Sequence, residues 1–394
     1  MKEEVVVDRR GDPRGKGPLI SWIVPVYNTE NLLTQTLDSI ASVADADIEV
    51  IIVDDGSTDS SAERIAEWTG RVQLPVVCIR QANAGLSAAR MTGLRHARGK
   101  FIGFCDSDDL VEMPCYLRMA EMALRENCDV AICRSIVFDG VSQEYHDFYD
   151  AWLWDLALNG QGALVTSALR EPRLYRLEPN ANTRLLRRDF VLEKNLSFPL
   201  GLHFEDFPTH VEALAVAHKV LLVDSTGYFY RVNRPGKITD QKSEKRFDIL
   251  KSVQLAFDAA KKHHVDTAGR AYVAIMAARM TYWCGKHTLN KDRARFFAAA
   301  CAQFKANVDD AAARYAMAHG IDRREAILLS ALRANAVRFL TAHSAGRRTV
   351  RVWVLKLLFS WRHGRKLRRT MVRAGLQKTR FILGRTLLAG QHAK

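Results

Sequence analysis

The sequence predicts an α/β protein, with a mostly parallel central sheet flanked by helices and then a C-terminal helical extension. Three observations carry that expectation. First, short runs rich in Val and Ile (Leu19 to Val24, Ile48 to Val53, Val76 to Ile79, Phe101 to Cys105) alternate with segments of helical spacing. Continuously apolar strands separated by helices belong to parallel sheets covered on both faces. Second, acids close two of these runs, in Val53-Asp54-Asp55-Gly56-Ser57-Thr58-Asp59 and Phe104-Cys105-Asp106-Ser107-Asp108-Asp109. Third, the chain beyond Ser243 is Ala-rich and helical in pattern.

Along the chain, Met1 to Gly17 mixes charged residues and Gly around a brief Val5-Val6-Val7 patch. It lacks the apolar core of a signal peptide and is expected to be a disordered lead-in. Leu33, Leu37 and Ile40 fall on one face of a helix that starts near Glu30. Ser57, Thr58 or Asp59 can cap the helix carrying Ile65 and Trp68, and Gly70 can end it. Residues 18–110 thus form the first half of a domain whose second half, 111–240, is less regular. There a helix is expected near Tyr116 to Glu126, a strand near Val130 to Ile132, and a polar aromatic stretch at Tyr145 to Trp154. Strands at Val220 to Val223 and Tyr228 to Arg231 lead to an Asn233-Arg234-Pro235-Gly236 turn. A boundary near residue 240 separates a helical accessory region, 241–346, and a basic amphipathic tail, 347–394.

The formal net charge of +14 is confined to that tail: it holds 14 Lys and Arg and no acid, leaving 44 basic and 44 acidic side chains in the rest. The neutral body argues against a nucleic-acid partner. No apolar run approaches the roughly 18 residues of a membrane-crossing helix. Seven cysteines without a C-x-x-C pair, several inside apolar runs, read as free thiols in a reducing cytoplasm.

Carboxylates gathered at the mouth of a buried sheet repel one another and resist desolvation, so a cation or a donor-rich ligand is expected beside them. Asp106-Ser107-Asp108 suits a hard divalent ion, Mn²⁺ or Mg²⁺, shared with substrate phosphates. Taken alone, such a pattern is more often a solvated acidic loop. It does not stand alone: Pro25-Val26-Tyr27-Asn28 follows the first strand, Asp54-Asp55-Gly56-Ser57 the second, and Asn83-Ala84-Gly85-Leu86-Ser87-Ala88-Ala89-Arg90 the third. In this order and spacing the chain, over residues 18–240, resembles the family 2 glycosyltransferases, which have the GT-A fold and use nucleotide diphosphate sugars.

The resemblance implies that Pro25, Tyr27 and Asn28 border the nucleoside, that Asp55 accepts a hydrogen bond from the base, commonly uracil, and that Asp54 supports its turn. It places Asp106 by the ribose and metal and makes Asp108 the principal metal ligand. Asn83, Gly85 and Arg90 would lie beneath the donor, with Arg90 either on phosphate or an internal partner of the acids. Phe204-Glu205-Asp206-Phe207 matches the family's later Glu-Asp motif. Asp206 is then the base that deprotonates the acceptor hydroxyl, with Glu205 beside it or on the acceptor. Direct attack without an enzyme nucleophile implies inversion through an oxocarbenium-like transition state.

Met91 and Lys237 depart from common family residues, and Q-x-x-R-W is missing, so a single-addition enzyme is expected. His203 and His210 flank the Glu-Asp motif at a spacing that does not suit a helical ligand pair, and His263-His264 reads as a solvated helix face. Packing beneath a loop is preferred to an acceptor groove for Trp152-Leu153-Trp154.

In the tail, Trp353, Leu357 and Phe359 precede the basic stretch Arg362 to Arg373, which suits an anionic membrane surface. A partner-packed helical extension and nucleic-acid binding are the alternatives. The expected enzyme is therefore cytoplasmic and peripheral at the inner face of the cell membrane, moving one sugar, most plausibly from a UDP-sugar, to a glycan or lipid-linked acceptor in bacterial surface polysaccharide synthesis. A nucleotidyltransferase and a catalytically silent binding module are the competing readings.

Overall fold

The computed structural model describes residues 3–11, 17–43, 47–233, 244–319 and 323–345. The Asn233-Arg234-Pro235-Gly236 turn beyond its first residue, Lys237 and the basic tail lie outside them. The first strands and helices follow in chain order: β1 (Glu3–Asp8), β2 (Ile20–Val26), α1 (Leu33–Ile40), β3 (Ile48–Asp54), α2 (Ser61–Arg71), β4 (Val76–Gln81), α3 (Leu86–His96) and β5 (Phe101–Phe104). Next come β6 (Leu110–Val111), α4 (Met113–Arg125), β7 (Val130–Asp139), β8 (Tyr145–Asp147), α5 (Ala151–Leu158), β9 (Ala163–Thr166), β10 (Arg184–Arg187), α6 (Arg188–Glu193), α7 (Asp206–Val216) and β11 (Val220–Val232). Six helices complete the described chain: α8 (Asp248–Lys262), α9 (Thr267–His287), α10 (Arg293–Asn307), α11 (Asp310–His319), α12 (Arg323–Arg333) and α13 (Val337–Ser344).

All strands join one sheet in the order β1-β4-β3-β2-β5-β10-β7-β11-β6, with β8 on β7 and β9 on β11. The run β4-β3-β2-β5 is parallel, as is β7 with β11. Antiparallel β10 bridges the two parallel blocks. Residue alternation divides the interior in two. Trp22, Val24, Val50 and Ile52 meet α1, α2 and α4 on one face, while Ile23, Ile51, Val53 and Ile79 point to the other. On that second face α3 and α7 share one continuous apolar cluster with α8, α9, α10 and α13. The helical region thus packs as the sheet's own outer layer.

Three sequence expectations need correction. The lead-in is not wholly disordered: Glu3–Asp8 forms an edge strand antiparallel to β4. Its backbone completes the hydrogen bonding of β4, and Glu3 Oε2 accepts from Arg95 at 2.5 Å. Gly70 lies inside the last turn of α2 rather than beyond it. The two apolar runs at 220–223 and 228–231 form one strand, bulged between Val223 and Tyr228. Leu33, Leu37 and Ile40 are buried together as the spacing predicts.

Candidate active site

The strand tips of the parallel block are tied together before any ligand is considered. Pro25 is buried within β2, beyond the part paired with β5, where a missing N–H costs no ladder bond. Asn28, at φ +52°, braces β2 to β3: its N–H donates to Ser57 Oγ (3.2 Å) and its Oδ1 accepts from Thr58 N (2.8 Å). Tyr27 beside it is exposed. Asp54 Oδ1 accepts from Ser57 N at 2.9 Å, the turn-supporting contact expected of it.

Asp55 is buried and holds the next loop. Its Oδ1 accepts from Gln81 Nε2 (2.7 Å) and Ala84 N (2.9 Å), and its Oδ2 from Gly85 N (2.8 Å). Gly56 must be glycine here: φ is +73° and a Cβ would lie 2.9 Å from Asn83 N. Gly85, at φ +88°, turns the chain into α3. Asn83 and Gly85 thus stay exposed at the mouth of the sheet on a loop fixed from beneath.

Arg90, one turn inside α3, is 1% exposed and packs against the paired rings of Phe198 and Phe104, with its guanidinium 5.1 and 5.9 Å from their centroids. It binds three carboxylates: Asp106 Oδ1 at 3.0 Å through Nη2, and Glu205 Oε1 at 2.9 Å and Asp206 Oδ1 at 2.6 Å through Nη1. Of the two roles open to Arg90, the internal one is what this geometry provides. Asp106 follows β5, whereas Glu205 and Asp206 begin α7 about a hundred residues later. Phe204 turns the chain there at φ +65°, a costly conformation for a bulky side chain. Its carbonyl accepts from Ser252 Oγ of α8 at 2.6 Å, so the helical layer helps hold the turn.

Burial and the neighbouring Asp206 charge push the Glu205 carboxyl up to about 7, against the pull of Arg90. Burial also raises Asp206, although Arg90 and Arg184 oppose the shift. The three carboxylates in turn raise Arg90 despite its desolvation, so it stays charged.

Asp108 is buried in the turn after β5 and does not join the Arg90 group; its carbonyl accepts from Arg231 Nε at 2.8 Å. Asp109 accepts from Arg231 N at 2.7 Å and from the Tyr228 hydroxyl, and Thr29 Oγ1 donates to Ser107 Oγ at 3.0 Å. The Asp106–Asp109 turn is therefore anchored from the loop after β2 and from β11. Sequence reasoning missed Gln81, Phe198, Arg184, Tyr228 and Arg231. For Gln81, Arg184, Tyr228 and Arg231 the available signal was a polar residue bordering or interrupting an apolar run; Phe198 carried none.

His210 and His263 have partners within the fold. His210 is buried with Nδ1 2.8 Å from Arg184 Nη2, and burial and that charge hold its pKa well below the usual range. His263 Nε2 lies 3.1 Å from Glu212 Oε1. Leu153 and Trp154 are buried in α5, and Trp152 packs under Arg176. All seven cysteines are free and buried.

Among the described residues no group of three or more His, Cys, Asp or Glu side chains is gathered as a metal site. Asp106 and Asp108 supply oxygen donors only, and Asp106, 30% exposed, bonds Arg90 through Oδ1 alone. Such a donor set fits a hard ion that takes its remaining ligands from water and diphosphate, rather than a closed protein cage. Among the described residues no helix is long and apolar enough to cross a membrane.

Solved structures identify the fold. Staphylococcus aureus TarS residues 1–349 in complex with UDP-GlcNAc superposes with a TM-score of 0.65 at 19% identity, over 88% of this chain and 92% of that one. The fold is GT-A. The glycosyl transferase family 2 model matches residues 21–184. An uncharacterized glycosyltransferase, EpsJ of Bacillus subtilis, is 32% identical over 253 residues, which is 64% of this chain and 72% of EpsJ. This chain is a member of the family 2 glycosyltransferases. It also matches glycosyltransferase GlyA of Streptococcus pneumoniae at 30% identity over 59% of its length, but spans only 33% of GlyA.

Proposed function

We propose that the chain is an inverting, metal-dependent glycosyltransferase that moves one sugar from a UDP-sugar to a hydroxyl of a glycan or lipid-linked acceptor in bacterial surface polysaccharide synthesis. One observation carries the reading: Asp106, after β5, and Asp206, at the head of α7, converge on Arg90. The carboxylates that this reading assigns to donor and acceptor thus share one partner.

In this reading the uracil sits between Tyr27 and the loop carrying Asn83 and Gly85. Asp55 Oδ2, which accepts from Gly85 N, keeps lone-pair capacity for the base N–H. Asp54 and Asn28 keep the neighbouring turn in shape. Pro25 acts through the backbone it stiffens. Asp106 and Asp108 would hold Mn²⁺ or Mg²⁺, which when bound offsets charge on the departing diphosphate. Asp206 takes the acceptor proton as its oxygen attacks the anomeric carbon, and Glu205 sits buried behind it. With no enzyme nucleophile, an α-linked donor gives a β-linked product. Residues 347–394 would dock the enzyme on an anionic membrane surface at the cytoplasmic face.

The relatives support the donor and acceptor classes. The TarS complex holds UDP-GlcNAc, and a relative from Bacillus spizizenii, 28% identical, is named a poly(ribitol-phosphate) beta-glucosyltransferase. An archaeal mannosyltransferase of similar fold, from Pyrobaculum calidifontis, is seen with GDP-Man and Mn²⁺ at a TM-score of 0.50 and 18% identity.

The test is a thermal-shift panel of nucleotide sugars with and without Mn²⁺ or Mg²⁺, followed by release of the nucleoside diphosphate. A UDP-sugar should stabilise the protein in a way that Asp108→Ala abolishes. Binding with no turnover on any acceptor would instead establish a silent module, and a retained anomeric configuration by NMR would rule out the mechanism.

A further inference from the structure

The Arg90 cluster is graded from inside to outside. Side-chain exposure rises from 1% at Arg90 and 8% at Glu205 to 22% at Asp206 and 30% at Asp106. The two members that the proposed function gives to chemistry face outward, and the other two form their floor. A side chain so deeply covered, with Phe104 and Phe198 packed against it and three carboxylates on its Nη atoms, has no open side to offer a phosphate.

We propose that Arg90 is a positioning residue for sugar transfer, its guanidinium fixing the acceptor-side base Asp206 relative to the donor-side Asp106 without touching either substrate. The inference rests on the reading of those two aspartates given above.

Three features support it. The guanidinium is a planar fork, and here its two Nη atoms address different chain segments: Nη2 holds Asp106 and Nη1 holds Glu205 and Asp206. An ammonium has no such fork, so Lys would not span the same three carboxylates. The bridged segments are otherwise held by separate parts of the molecule, the Asp106 turn by the loop after β2 and by β11, and the Asp206 turn by α8. Finally, one cation among three carboxylates leaves the group short of positive charge. Removing it would let Asp106 and Asp206 repel each other apart.

The test uses the full chain as wild type, Arg90→Lys, Arg90→Gln and Arg90→Ala. UDP binding with Mn²⁺ is measured by calorimetry, and turnover by UDP release from the nucleotide sugar that the wild type consumes. Arg90→Lys should keep UDP affinity and donor KM while kcat falls about 100-fold, the scale of a reacting group displaced by about an ångström. Guanidinium ion at millimolar concentration should restore part of the turnover of Arg90→Ala but none of Asp206→Asn, a rescue that a merely structural role would not give. Wild-type turnover in Arg90→Lys, or UDP affinity falling in step with kcat, would overturn the proposal.

Should the wild type consume no nucleotide sugar, the donor reading fails, and a crystal structure of Arg90→Lys then decides the role of Arg90 separately. Splayed Asp106 and Asp206 carboxylates support the proposal; unmoved ones overturn it. If Arg90→Ala does not fold, Arg90→Lys and Arg90→Gln carry the same measurements.

Discussion

Replacing Glu205 by Gln should change how stability depends on pH. The side chain is 8% exposed, and burial, with Asp206 adding to it, moves its pKa from an ordinary 4.5 to about 7. Between those values the native protein keeps a proton that the unfolded chain has released. Stability therefore falls as pH rises through that window, and the contribution present below about 4.5 is gone above about 7. At about 1.4 kcal/mol per pH unit the loss is on the order of 3 kcal/mol. Glutamine cannot ionise, keeps the volume, and can still accept from Arg90 through its carbonyl. Urea unfolding of both proteins with chelator present, at half-unit steps from pH 4.5 to 8, gives the difference directly, provided the m-values agree. The variant should gain on the wild type across the window and level off above pH of about 7. Parallel stability curves would refute the reasoning, because they would mean that Glu205 ionises in the folded protein as freely as in the unfolded chain.

Other outcomes follow from the same geometry. Asp206→Asn should leave UDP binding intact and lower turnover by about 10² to 10⁴, the usual worth of a positioned general base, as read by UDP release. Asp55→Ala strands three donors, Gln81 Nε2, Ala84 N and Gly85 N. Each orphaned group costs about 1–3 kcal/mol where water cannot reach it, so both the melting temperature and UDP affinity should drop. Gly93→Ala places a methyl 2.4 Å from Ile23 Cγ2, between α3 and β2. The expected overpacking cost of about 1–3 kcal/mol exceeds the helix-propensity gain of about 1 kcal/mol, so denaturation should show net destabilisation.

Much of the parallel block was legible because its information is local. The apolar runs that begin at Leu19, Ile48, Val76 and Phe101 are read within a few residues, and the acids close two of them. The three-carboxylate pairing of Arg90 was not legible in the same way: its partners lie 16, 115 and 116 residues away, and no local pattern says which arginine will be buried against Phe104 and Phe198. Edge strand β1 escaped notice for a related reason. Its partner is the exposed edge of β4, and Val5-Val6-Val7 between charges is too short to announce a strand without that edge. Asp55 shows a third limit. A carboxylate at a strand tip reads as a ligand-facing group, yet here it first holds its own loop through three hydrogen bonds.

The interior common to the sheet and the C-terminal helices bears on how such an enzyme can move. Side chains of α7, which begins with Asp206, interlock with α8 and α9 in the same cluster that carries Ile23 and Val53 of the sheet. Interiors packed at crystal-like density do not shear without opening voids. A swinging motion of one half against the other would have to open that shared cluster. The helical layer thus serves as ballast for the Glu205-Asp206 turn, whose Phe204 carbonyl it holds through Ser252.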